Sequence, residues 1–141
     1  MILSLNNNTN GDTMIDSKVF SSTEKELIIQ YLYKVEDYFT FNIKIKSGEF
    51  SGSSNFCISK EKVISTIETL TEMYNTFAGS CAIKDYDSDS HICLEMGKFG
   101  QINLYGQIGG SHEDHNMRFK YILDQTILPN LIQIFRDTVK E

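Results

Sequence analysis

The strongest constraint on what this chain can fold into lies between Met117 and Phe135, where the apolar period changes with no loop between. Met117, Phe119, Tyr121 and Leu123 alternate with polar residues such as Arg118 and Lys120, the period of a half-buried strand. Beyond Asp124-Gln125-Thr126, residues Ile127, Leu128, Leu131, Ile132, Phe135 and Val139 recur at three- and four-residue spacing, which is one stripe of a helix. A strand that runs straight into a helix needs a polar junction to satisfy the first helical N–H groups, and Asp124 or Thr126 can accept from them. Pro129 falls in the first turn, where a missing N–H is harmless. The segment reads as strand, cap and helix, with the helix over about 127–139.

The same two periods place the other elements. Glu26 to Val35 is rich in Ile, Leu and Tyr, and Tyr38 to Lys46 alternates cleanly, with Phe39, Phe41, Ile43 and Ile45 on one face. Glu36-Asp37 makes a hairpin turn between them. Ser47-Gly48 turns into a third strand, Glu49 to Ile58, whose Gly52 and serines mark it as bulged or at an edge. Ser59 caps a helix over about 60–77, in which Val63, Ile64, Ile67, Leu70, Met73, Tyr74 and Phe77 form a stripe and Gly79 ends the element. Four further strand-like runs follow: Cys81 to Lys84, His91 to Met96, Gln101 to Ile108, and Asn116 to Leu123. Short polar or Gly-rich turns separate them. Connectors that short cannot make parallel crossovers, so the pairing is an antiparallel meander. Strands then a helix occur twice, although the residues of the two halves do not align as a duplication.

The fold class is therefore α+β: one twisted antiparallel sheet of about six to seven strands, with both amphipathic helices on one face. At 141 residues the chain is long enough for one core. Residues 1–24 read as an N-terminal strand or loose arm, with a polar turn at Asn6 to Asp12, and residues 25–141 as the domain. Met14 is a second candidate start. Met1-Ile-Leu-Ser-Leu5 is too short for a signal-peptide core and no run approaches a membrane span, so the chain reads as cytoplasmic and without a membrane partner. An Asn7 sequon is then silent. Cys57, Cys81 and Cys93 are odd in number, lack metal-ligand spacing and read as reduced, buried thiols. A net charge of −6 disfavours a nucleic-acid partner and suits a basic protein.

Candidate chemistry is thin. His112-Glu113-Asp114-His115 spaces its histidines by three in a Gly-preceded loop, unlike the helical zinc pattern, and reads as a solvated loop. Asp85-x-Asp87-x-Asp89 opens like a calcium loop, but Ser90 and Met96 stand where glycine and glutamate are needed. Gly106 to Gly110 lacks dinucleotide spacing. His91 and Cys93 share a strand face without a visible catalytic partner. The residues point to no catalytic group, no cofactor and no resident metal. The case for an enzyme is poor.

The order of a strand pair ending near Phe50-Ser-Gly52, the helix after Ser59, Gly79 and its strand, Gly100-Gln-Ile-Asn-Leu-Tyr-Gly106 and the Asp124-Gln125-Thr126 junction resembles the WapI-type immunity proteins over roughly Glu26 to Val139. That resemblance implies a non-enzymatic inhibitor that binds the C-terminal domain of a cognate bacterial toxin, a basic domain and in many cases a nuclease, and blocks it by occlusion. The shared motif at Asp124, Gln125 and Thr126 is then scaffold. Asp85, Asp87, Asp89, Glu113 and Asp114 are the candidate toxin contacts, because they are acidic and lie in loops. The inhibitor is a monomer or weak dimer. The alternative is a secretion chaperone for an effector protein, a dimer holding an extended segment. A third, ligand-binding or enzymatic, reading requires a deep apolar pocket.

Overall fold

The computed structural model describes residues 18–140. Two halves share one element order. The first runs β1 (Lys18–Ser21), β2 (Lys25–Val35), β3 (Tyr38–Ser47), β4 (Phe50–Ser59) and α1 (Lys60–Thr76). The second runs β5 (Ser80–Lys84), β6 (His91–Met96), β7 (Gln101–Ile108), β8 (Met117–Asp124) and α2 (Ile127–Val139). Strand β1 falls inside the N-terminal segment 1–24 and pairs with β2. The polar turn at Asn6 to Asp12, Met14 and the Asn7 sequon lie outside the described residues.

The broad α+β class holds, but the single sheet of about six to seven strands is corrected. The described residues form two four-stranded antiparallel meanders, ordered β1-β2-β3-β4 and β5-β6-β7-β8. The physical reason lies at the outer edge of β4. Instead of a fifth strand, the loop after β5 meets that edge: Cys57 N–H donates to Asp85 Oδ1 at 2.9 Å, and Cys57 C=O accepts from Tyr86 N–H at 2.9 Å. One rung replaces a ladder. Strand period is a local property, whereas the identity of a strand's neighbour is not.

Each sheet sorts its residues by alternation. On β3, Phe39, Phe41, Ile43 and Ile45 are buried, while Lys44 on the other face is exposed. Across the second sheet, Cys81, Leu94, Leu104 and Tyr121 stand opposite one another as one buried rung. The next rung is Ile83, Ile92, Gly106 and Phe119. A Cβ on Gly106 would run into the backbone carbonyl of His91, so this position admits no side chain. The inner residues of both sheets and both helices form one continuous cluster.

The helices start where the sequence places them, for somewhat different reasons. Ser59 caps α1, its hydroxyl accepting from Lys62 N–H at 3.2 Å. At the start of α2, Asp124 Oδ1 accepts from Thr126 N–H at 2.9 Å, and Thr126 itself makes no side-chain cap. Helix α1 ends at Thr76, with Phe77 in the left-handed region at φ 53°. The two helices pack on each other, α1 also lying against β5 and α2 against β1, so each half lends its helix to the other half's first strand. Phe135 of α2 meets Phe41 of β3 edge-on at 5.4 Å between ring centres. The stripe of α1 is covered only in part. Val63, Leu70 and Met73 are buried, but Ile64, Tyr74 and Phe77 are exposed.

Phe135→Ala is expected to cost about 3–5 kcal/mol in chemical denaturation, as an aromatic lost from a packed core does. Gly106→Ala is expected to cost about 1–3 kcal/mol through the carbonyl collision. Ile64→Ala should change stability by less than about 1 kcal/mol.

Candidate partner-binding cleft

The two sheets leave an open cleft of about 1030 Å³ along their seam. One wall is the end of the β3–β4 hairpin, Ser47 and Phe50 to Ser53. The other is the end of β7 and the loop into β8, from Ile108 through His112, Glu113 and Asp114 to Arg118. Gly52 forms the close approach between walls: a Cβ there would sit 3.7 Å from both Ile108 Cγ2 and Met117 Sδ. Gly109 N–H donates to Ser54 Oγ at 3.4 Å and ties the loop to β4. Phe50 stands 74% exposed at the rim.

The acidic residues singled out by sequence divide into three roles. Asp85 is buried and structural. Its carboxylate accepts from Cys57 N–H, from Asp87 N–H at 3.2 Å and from the Ser88 hydroxyl at 2.6 Å. Asp89 is exposed and bridges the two loops, accepting from the backbone N–H of Ser111 at 2.8 Å and from its hydroxyl. These Ser111 hydrogen bonds, hydroxyl first, hold the Asp89 carboxyl below the usual aspartate range, with smaller help from His112. Glu113 Oε2 accepts from Gly110 N–H at 2.9 Å while the residue stays exposed. Asp87 and Asp114 are exposed. The fold thus joins the β5–β6 and β7–β8 loops through Asp89 and Ser111, and turns Asp85 away from any partner. The three aspartates 85, 87 and 89 do not converge, and among the described residues no group of three or more His, Cys, Asp or Glu side chains is arranged to hold a metal.

The Asp124-Gln125-Thr126 motif lies at the other end of the second sheet. Asp124 pairs with Gln101 at the start of β7, while the cleft begins at Ile108 at its end, roughly 23 Å away for eight residues of strand. Gln125 N–H donates to Gly100 C=O at 3.0 Å, and its side chain packs beneath Gly100. This motif anchors a turn and does not border the cleft. His91 and Cys93 share the outer face of β6, where His91 Nδ1 lies 2.8 Å from Asp89 C=O. All three cysteines are free, yet only Cys81 is buried; Cys57 and Cys93 are half-buried, which corrects the reading of three buried thiols. Burial, assisted by the nearby Cys93, pushes the Cys81 thiol up to about 11. No helix among the described residues is long and apolar enough to cross a membrane.

Sequence reasoning finds the acidic loops but misses the opposing wall, Phe50 to Ser53, and the bridging Ser111. The one available signal is Gly52 between serines, which marks β4 as an edge. The structure bears that out: β4 is an edge strand, and its pairing with β3 runs from Ser59 to Phe50 without a bulge. In comparisons with known proteins, no family model, no curated protein sequence and no solved structure matches the chain.

Asp85→Ala is expected to cost about 1–3 kcal/mol by leaving Cys57 N–H without its acceptor. Asp114→Lys should change stability by less than about 0.5 kcal/mol, so thermal unfolding of both variants separates scaffold from surface. A depressed carboxylate stabilises above its unfolded value and loses that contribution as pH falls through the folded one. The Ser111 amide resonance is therefore expected to titrate with a midpoint below 3.8, the ordinary value for Asp89.

Proposed function

We propose that this chain is an inhibitory binding protein of the immunity type, which neutralises a basic toxin domain by covering it. One observation carries the reading: two acidic loops from different hairpins are tied together by Asp89 and Ser111, leaving Asp87, Asp89, Glu113 and Asp114 exposed at one end of the second sheet, beside an open cleft. A rigid acidic rim suits a partner with a basic substrate cleft, because complementary potentials speed encounter and fix orientation. The net charge of −6 acts in the same direction. An occluding protein needs a preorganised surface and no catalytic group of its own. A nuclease domain, whose substrate is a polyanion, is the toxin class this rim fits best.

The second reading, a secretion chaperone, is favoured by the open edge of β4, which suits an extended client segment. The two readings differ in oligomeric state and client. A chaperone is expected to sediment as a dimer and to hold an unfolded segment, the inhibitor as a monomer or weak dimer gripping a folded domain.

The test is co-expression with a candidate toxin, the C-terminal domain of a long reading frame sought next to this gene. Wild-type protein is expected to restore growth of cells making that domain. The triple variant Asp87→Lys, Glu113→Lys, Asp114→Lys, which spares Asp85 and Asp89, is expected to lose rescue while unfolding at an unchanged temperature. Affinity for the purified domain should fall as salt rises, since exposed charges are screened beyond about 8 Å at physiological ionic strength. Equal affinity of wild type and triple variant at low salt would remove these loops as the contact surface.

A further inference from the structure

Backbone geometry along β4 supplies a more specific site. Residues of an antiparallel strand alternate between directing N–H and C=O toward the neighbouring strand and away from it. Cys57 directs both groups away from β3, since they meet Asp85 and Tyr86. Because the β3–β4 register is unbroken, Asn55, Ser53 and Ser51 have the same parity and point their groups off the open edge. Among the described residues no hydrogen bond reaches those outward groups. Cys57 is guarded by an intramolecular acceptor and donor; the half of β4 from Phe50 to Asn55 is not. Nor does that half carry the lysine, proline or bulge with which exposed edges are commonly protected. Ser51 and Ser53 line the cleft, whose opposite wall bears Glu113 and Asp114 against Arg118.

We infer that the free edge of β4 accepts an extended, lysine- or arginine-bearing segment of the partner protein as an added strand inside the seam cleft. Backbone groups at two-residue intervals demand a strand as occupant, since a helix has its own backbone bonds closed and cannot supply the donors and acceptors. Ile108 and Met117, which line the cleft beside Gly52, offer apolar contacts to an inward-facing residue of that strand. Glu113 and Asp114 select for basic residues beside it, and exposed Phe50 offers a ring face at the cleft mouth. The identity of the partner rests on the function proposed above; the edge site itself does not.

The probe is a heptapeptide of alternating lysine and valine, blocked at both ends, titrated into the isotope-labelled full chain. Amide resonances of Ser51, Ser53 and Asn55 are expected to shift and their hydrogen exchange to slow. Methylating the peptide's outward-pairing amides, or replacing Ser53 by proline, is expected to weaken binding about tenfold or more, the effect of an unmade backbone hydrogen bond. Ser53→Pro removes an N–H that β3 does not use, and retained protection of the β3 amides checks its fold. Should that variant unfold, the methylated peptide alone decides. Replacing lysine by glutamate in the probe is expected to weaken binding by a similar factor. Failure to bind at millimolar peptide, equal binding of the methylated probe, or shifts confined to other strands would overturn the site. Dimerisation of the wild type that Ser53→Pro abolishes would overturn the occupant, assigning the edge to a second copy. Peptide binding without growth rescue would remove the toxin reading and keep the edge; rescue without peptide binding would do the reverse.

Discussion

The contact on which the rest of the molecule depends is the single rung between Cys57 of β4 and the Asp85-Tyr86 pair. It satisfies one backbone donor and one acceptor on an edge strand, which in a dry setting are costly to leave unmade. It also ends the first sheet there, so the second sheet begins a ladder of its own. The inner faces of the two sheets then share one core with the helices between halves.

Placing two sheets edge to edge at a loop creates a seam, and the functional surface follows from the seam. The walls come together where Gly52 faces Ile108 and Met117, and the cleft opens beside that point. The acidic loops reach the same end because β5–β6 and β7–β8 are hairpins of one meander. Their tips necessarily lie on one side of the sheet, and Asp89 with Ser111 fixes one against the other. The turn anchored by Gln125 lies at the opposite end and serves the packing of α2 instead. An acidic rim and, among the described residues, an edge of β4 that no other strand pairs with thus meet at one end of the molecule.

Much of this was legible one element at a time. The strand-to-helix change at Asp124 to Ile127, the Ser59 cap, the hairpin at Glu36-Asp37 and the edge character of β4 all follow from local chemistry, and the structure has each of them. What misled was treating like residues as alike. Asp85, Asp87 and Asp89 are chemically identical in sequence, yet Asp85 is buried because a backbone N–H from another half of the chain needs an acceptor. Ile64 and Tyr74 belong to the same periodic stripe as Leu70, but they are exposed and it is buried. Periodicity reports which side chains share a face, not whether something lies opposite.

The chain alone therefore determined where strands and helices begin and end, which faces are apolar, and the acidic character of the exposed loops. These depend on dihedral preferences, caps and spacing within a few residues of one another. The tertiary structure decided that the strands divide into two sheets, that Asp85 is scaffold while Asp89 is a bridge, and that half of β4 meets no further strand among the described residues, beside a cleft. Each of those is a choice of partner between residues far apart in the chain, such as Cys57 with Asp85 and Asp89 with Ser111. Such a choice is made by the competition of backbone groups for hydrogen bonds once the core has closed, and no local period encodes its outcome.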